Sequence, residues 1–124
     1  MFKVNEDLSI FVTRGDIGVL GIGGVSEDNV AYTFKANDIL RLRVFEKKNH
    51  SNIVLSKDTV VTEESSIVDI SLTSEDTKIG EIINKPVDYW YEVELNPETA
   101  PQTMIGYDED GPKIFRLYPE GADA

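Results

Sequence analysis

The sequence predicts an all-β sandwich of about eight strands with one short helical turn, and three observations predict it. Apolar and polar residues alternate at period two in Ile39 to Glu46, Ser66 to Leu72 and Tyr89 to Leu95, the signature of half-buried strands. The β-rich segments are short and recur between turn residues, at the spacing of a sandwich or barrel and not of βαβ units. The chain has 124 residues and 40% hydrophobic content, which fits one domain that buries roughly two-thirds of its unfolded surface.

In chain order, the first strand is expected over Leu8 to Thr13, which ends at Arg14-Gly15-Asp16. Ile17 to Ile22 follows, punctuated by Gly18, Gly21, Gly23 and Gly24. Each glycine inside a helix would cost ~1 kcal/mol relative to alanine, so a bulged or edge strand entering a turn is the cheaper conformation. Glu27-Asp28-Asn29 reads as a turn, and Ala31 to Phe34 as a short strand. The alternation of Leu40, Leu42 and Val44 with Arg41, Arg43 and Phe45 makes Ile39 to Glu46 the clearest strand. After a polar connection from Lys47 to Asn52, two β-rich pieces are expected, Ile53 to Leu55 and Thr59 to Thr62, separated by Ser56-Lys57-Asp58. Ser66 to Leu72 places Val68, Ile70 and Leu72 on one face.

Thr73 to Gly80 has a hydroxyl N-cap, acids in the first turn and a glycine stop, which together specify a single helical turn. Beyond Pro86, the aromatic segment sets Tyr89, Tyr91, Val93 and Leu95 against Trp90, Glu92 and Glu94. Thr103 to Tyr107 and Lys113 to Tyr118 are expected to form a hairpin around Asp108-Glu109-Asp110-Gly111. The domain is expected to span residues 1–118, with 119–124 as a mobile tail.

Charge bounds the partners. There are 23 acidic against 12 basic residues, a net charge of −11, and this argues against nucleic acid and anionic membrane surfaces as partners. With no cysteine, neither a disulfide framework nor a thiolate site is available. The opening residues Met1 to Asp7 turn acidic at once, without the apolar core of a signal peptide. No apolar run approaches the ~20 residues of a membrane span. The expectation is a soluble protein made without export.

None of the motifs reads as a catalytic, metal or cofactor site. Arg14-Gly15-Asp16 matches an adhesion tripeptide, but a glycine between two strands is also a tight turn. The glycines lack the G-x-G-x-x-G or Gly-Lys-Ser/Thr spacing of nucleotide sites. His50, the only histidine, is expected on a solvated loop, without the convergent ligands or positioned partners that zinc or a nucleophile needs. Asp108, Asp110 and Gly111 echo the start of a calcium loop but lead into a strand, not a helix. The pair Glu92 and Glu94 beside Trp90 suits a solvated face, a sugar-docking surface or a subunit contact. These three residues are the candidate interface, and Trp90 is either exposed there or buried between two sheets.

The order of features resembles the N-terminal immunoglobulin-like domain of phage baseplate upper proteins and related small tail proteins of phages infecting Gram-positive bacteria. Thr13-Arg14-Gly15-Asp16 looks like that family's first turn, and Asp38 to Val44 like its strand alternating with basic residues. Val68 to Thr77 is similar to its strand with a Ser/Thr-acidic turn, and Tyr89 to Leu95 with Thr103 to Leu117 to its aromatic strand and closing hairpin. The likeness covers most of residues 8–118. It departs at Lys85-Pro86-Val87-Asp88, where the family carries Gly-Tyr or Gly-Lys-Tyr. The resemblance implies an immunoglobulin-like antiparallel sandwich and a non-enzymatic structural part of a tail, baseplate or fibre. Its partners would be other virion proteins or copies of itself, as a homo-oligomer. It would be made in the bacterial host cytoplasm and end in the virion. A small carbohydrate- or receptor-binding module is the alternative.

Overall fold

Residues 1–24 and 31–120 are described by the computed structural model, and among them lie nine strands and one helical turn. The strands are β1 (Phe2–Val4), β2 (Ile10–Thr13), β3 (Gly18–Gly23), β4 (Ile39–Phe45), β5 (Ile53–Val60), β6 (Ile67–Leu72), β7 (Val87–Leu95), β8 (Gln102–Ile105) and β9 (Lys113–Tyr118). The helical turn α1 (Ser74–Thr77) sits between β6 and β7. The front sheet runs β1-β2-β9-β7-β4-β5, with β8 also on β7, and the back sheet is the pair β3-β6. A front sheet containing β9-β7-β4-β5 facing β3-β6 has the order of an immunoglobulin sandwich, with the two strands that flank the back sheet not found among the described residues.

The alternation read from the sequence is the alternation of burial. Leu40, Leu42 and Val44 of β4 lie beside Leu95, Val93 and Tyr91 of β7, all buried. Ile10, Val12, Phe115 and Leu117 extend this inner face across β2 and β9, and Leu20, Ile22, Ile70 and Leu72 of the back sheet close onto it. Each such side chain contributes about 1.5–3 kcal/mol by leaving water. Buried Asp38 is satisfied rather than bare. It accepts from the Tyr32 hydroxyl at 2.7 Å, the Lys35 amide at 2.9 Å and the Asn96 amide group at 3.1 Å, while Asn96 also accepts from Ile39 N–H. Donating to Asp38, with burial, pushes the Tyr32 hydroxyl up to about 12. The cluster locks the entry of β4 to the end of β7.

The helical turn has the expected cap. The Thr73 hydroxyl accepts from Asp76 N–H, and the Asp76 carboxylate accepts from Thr73 N–H at 2.8 Å, a reciprocal box. Gly18 in β3 and Gly24 just beyond it are steric necessities: a Cβ on Gly18 would overlap the Phe2 ring, and one on Gly24 would overlap the Tyr32 carbonyl.

Several expectations are corrected. The sandwich is mixed, because β2 runs parallel to β9, with Ile10 beside Phe115 and Thr13 beside Tyr118. β1 is an additional strand, only three residues long. The two β-rich pieces around residues 56–58 are one continuous strand, β5, since Lys57 and Asp58 find partners in Asp76 and Arg41 instead of breaking it. The short strand over 31–34 reduces to isolated bridge positions at Ala31 and Phe34, the latter paired with Ser65. The turn at 108–111 forms, with Gly111 at φ +93°, but β8 and β9 do not pair into a hairpin; both lie along one side of β7. Within the expected tail 119–124, the Glu120 carboxylate accepts from Arg14 at 2.6 Å. Residues 121–124 of that tail, and the turn Glu27-Asp28-Asn29, lie outside the described residues.

Candidate functional site

The candidate interface forms on the outer face of the front sheet. Because Tyr91, Val93 and Leu95 point inward, the alternation sends Trp90, Glu92 and Glu94 outward. Trp90 is partly buried, beside Phe45 of β4 on one side and Ile114 of β9 on the other. Glu92 stands opposite Arg43 and Glu94 opposite Arg41. Trp90 therefore sits on the outer side of a central strand and not between the sheets. All three residues proposed from sequence share one face of one rigid element.

Electrostatically the face is short of cations. Arg41 is engaged elsewhere: it donates to both oxygens of Asp58, at 2.7 and 3.0 Å, and reaches Glu98 at 3.1 Å. Arg43 serves both glutamates from a distance, its Nη1 lying 3.8 Å from Glu92 Oε1 and 3.6 Å from Glu94 Oε1. Burial, then the Glu94 charge, raises the Glu92 carboxyl above its ordinary value against the pull of Arg43. The pair is held near one guanidinium without a hydrogen bond to it.

His50 joins this face, which corrects the solvated-loop expectation. Its backbone takes φ +63° in the β4–β5 connection, and its ring stacks flat on Phe45, with centroids 4.5 Å apart and 4° between planes. Tyr107 meets the imidazole edge-on at 6.0 Å. His50 Nδ1 is 3.8 Å from Glu92 Oε2, and its Nε2 is buried without a partner. Burial pushes the imidazole below its usual value, so at neutral pH it adds no charge to balance Glu92. Phe45 falling on the polar side of the β4 alternation was the one sequence hint that an aromatic group would gather there.

The other sequence motifs resolve as structure. In residues 13–16 Asp16 N–H donates to Thr13 C=O at 2.9 Å with Gly15 at φ +88°, a turn that needs its glycine. Arg14 donates to Glu120 and to Gly80 C=O, and Asp16 pairs with the N-terminal ammonium. An arginine side chain only 11% exposed is not presented to a receptor. Asp108 accepts from Lys113 Nζ at 2.8 Å and from Asp110 N–H at 2.9 Å, internal bonds that hold its carboxyl below the ordinary range. Among the described residues no three His, Asp or Glu side chains gather as metal ligands would, and no helix is long and apolar enough to cross a membrane. Two shallow clefts of about 270 and 260 Å³ lie elsewhere, one between the end of β5 and the start of β6, the other around Asp7, Ser9 and Lys113. Comparison with family models, curated proteins and solved structures found no match.

Proposed function

We propose that this chain is a non-enzymatic structural module of a phage tail, baseplate or fibre, made in the bacterial cytoplasm and working by docking to other virion proteins or to copies of itself. The observation that carries this reading is the outer face around Trp90, where a partly exposed indole on a central strand is flanked by two carboxylates that share one distant arginine. Aromatic anchors on a rigid sheet, ringed by polar groups, are what protein interfaces use. A basic side chain from a partner would sit over the Trp90 ring and give Glu92 the close cation it lacks. The resemblance in strand order and motifs points to the same class.

The same indole beside hydrogen-bonding carboxylates also favours a second reading, a carbohydrate- or receptor-binding module. Trp90 is the only tryptophan, so intrinsic fluorescence reports on this face alone. Light scattering across a concentration series, with bacterial wall polysaccharides titrated in parallel, separates the two. The assembly reading expects a mass above the monomer and a Trp90 emission indifferent to polysaccharide. A monomer at every concentration, whose emission shifts with polysaccharide and whose Trp90→Ala variant folds without binding, overturns assembly for the second reading.

A further inference from the structure

Among the described residues the back sheet has only two strands, and its two edges differ. Gly24 N–H donates to Ser66 C=O, which fixes the ladder's alternation. Even-numbered residues of β3 then turn their backbone groups to β6, and Val19, Gly21 and Gly23 turn theirs away. Every other exposed edge carries a guard of the kind that prevents strand addition. At the β5 edge, Lys57 shares the inner face with its cross-strand neighbour Leu42 and is tied to Asp76. The β6 edge has its Ile67 N–H and C=O both taken by the Ser65 hydroxyl, the exposed acid Asp69, and Phe34 already bridged to Ser65. β1 has three residues, and β8 four residues preceded by Pro101.

β3 has no such device. Gly18–Gly23 contains no charge and no proline, and Val19, Gly21 and Gly23 make no backbone hydrogen bonds outside the sheet among the described residues. Nor do sterics demand glycine throughout. Gly18 and Gly24 have a ring and a carbonyl against them, but nothing lies within 4 Å of a Cβ on Gly23, and on Gly21 the nearest atom is the end of Asp69 at 3.4 Å. Both positions face solvent, where any β-forming side chain would strengthen the strand. Their emptiness leaves a flat shelf beside Val19, which is 54% exposed, with the Asp69 carboxylate on its β6 side and no charge on β3 itself.

We infer that β3 is a docking edge and that its occupant is β3 of a second copy, paired antiparallel about a two-fold axis through Gly21. A strand meets its own copy with complementary donors and acceptors, and this register sets each Val19 across from the other copy's Gly23, where no side chain obstructs it. Charge selects the copy's β3 over its other strands. In a chain of net charge −11, this strand meets its twin without setting one carboxylate opposite another, whereas β5 and β6 would bring Asp58 or Asp69 into the contact. The inference deepens the assembly reading and rests on it for its purpose.

The test is amide hydrogen exchange by NMR on the wild-type chain across concentration, with light scattering alongside. Leu20 and Ile22 amides, bonded within the domain, are protected at every concentration. Those of Val19, Gly21 and Gly23 exchange freely when dilute and gain at least tenfold protection as a dimer forms. Gly21→Pro removes an outward donor without touching the β6 ladder and abolishes the dimer, whereas Gly21→Ala, which keeps the N–H, retains it. Odd-numbered amides that exchange equally fast at all concentrations, that are already protected in the dilute monomer, or a dimer that persists in folded Gly21→Pro, overturn the inference. None of these outcomes involves Trp90, so a polysaccharide-dependent emission shift would be a failure of the assembly reading instead.

Discussion

Replacing Tyr91 by phenylalanine isolates one long-range hydrogen bond. The Tyr91 ring is fully buried at the centre of β7, edge-on to Phe115 at 6.4 Å, and its hydroxyl donates to Leu8 C=O at 2.5 Å. Leu8 needs that hold, because its backbone sits at φ +70°, a left-handed conformation costing roughly 1–2 kcal/mol for a branched side chain. Tyr91→Phe keeps the packing and takes the donor away from a part-buried Leu8 carbonyl, so the loss is that of one long-range hydrogen bond, about 1–2 kcal/mol. Unfolding entropy of ~2.1 cal/mol/K per residue gives roughly 0.26 kcal/mol/K for this chain, so Tm falls by about 4–8 °C. A thermal melt followed by far-ultraviolet circular dichroism measures the Tm, and urea unfolding followed by Trp90 fluorescence the free-energy loss, with unchanged m showing that the fold is kept. A drop below 1 °C would mean that water replaces the hydroxyl and that Leu8 is held by its neighbours. A loss as large as the ~3–5 kcal/mol of a ring truncation would mean that packing is disturbed as well.

Three further outcomes follow from the same reasoning. Arg14→Ala breaks the Glu120 pair and the bond to Gly80 C=O, and chemical unfolding should show a loss of about 1.5–3 kcal/mol; the immobilised wild-type chain should support no tripeptide-dependent cell attachment. Lys57→Met removes the inward charge on the β5 edge while Asp76 keeps its Thr73 cap, so stability should change by no more than ~1 kcal/mol, and light scattering should reveal species larger than a dimer. Glu92 has a raised folded-state pKa, so its contribution is favourable below the unfolded carboxylate value and is lost as pH rises through the folded one. Glu92→Gln should therefore raise Tm at pH 7, by the equivalent of at most ~1 kcal/mol after solvent screening, and leave it unchanged near pH 3. Destabilisation at pH 7 would show that Arg43 and His50 outweigh the burial.

The parts of this fold that were legible in the sequence are those set by neighbours in the chain. Leu40, Leu42 and Val44 announce an inner face because side-chain direction in a strand depends only on parity, and the same parity assigns Trp90, Glu92 and Glu94 jointly to the outer one. The Thr73–Asp76 box is legible because both partners sit three residues apart. What escaped depends on distant partners. Nothing near Ile10 signals that β2 lies parallel to β9 about 100 residues later. Ser56-Lys57-Asp58 looked like a break because its neutralising partners, Asp76 and Arg41, are remote. His50 looked solvated because Lys47, Lys48 and Asn49 surround it in sequence, whereas its ring is held by Phe45 and Tyr107. Of the candidate face, the shared side of Trp90, Glu92 and Glu94 was legible and its shortage of cations was not, since that follows from Arg41 turning to Asp58 and Glu98.

Where the basic residues go decides what an acidic chain can approach. Arg14, Arg41, Lys57, Lys113 and Arg116 are each engaged with a carboxylate of this chain, and the seven other Lys and Arg face a large excess of acids in a chain with 23 Asp and Glu, so the surface stays acidic. Two copies meeting along β3 then repel at long range while the paired strands themselves carry no charge. A basic partner meeting Glu92 and Glu94 is attracted at long range and bonded by charge on contact. The two interfaces must therefore respond to salt with opposite sign. Raising ionic strength from 0.05 to 0.5 M shortens the screening length from roughly 14 to 4 Å. Association of copies through β3 should tighten over that range, and binding of a basic segment at Trp90 should weaken. Sedimentation of the wild-type chain measures the first, and titration of Trp90 emission with an Arg-containing peptide the second. If self-association loosens as salt rises, charge pairs hold the copies together, and an uncharged strand cannot be the surface on which they meet.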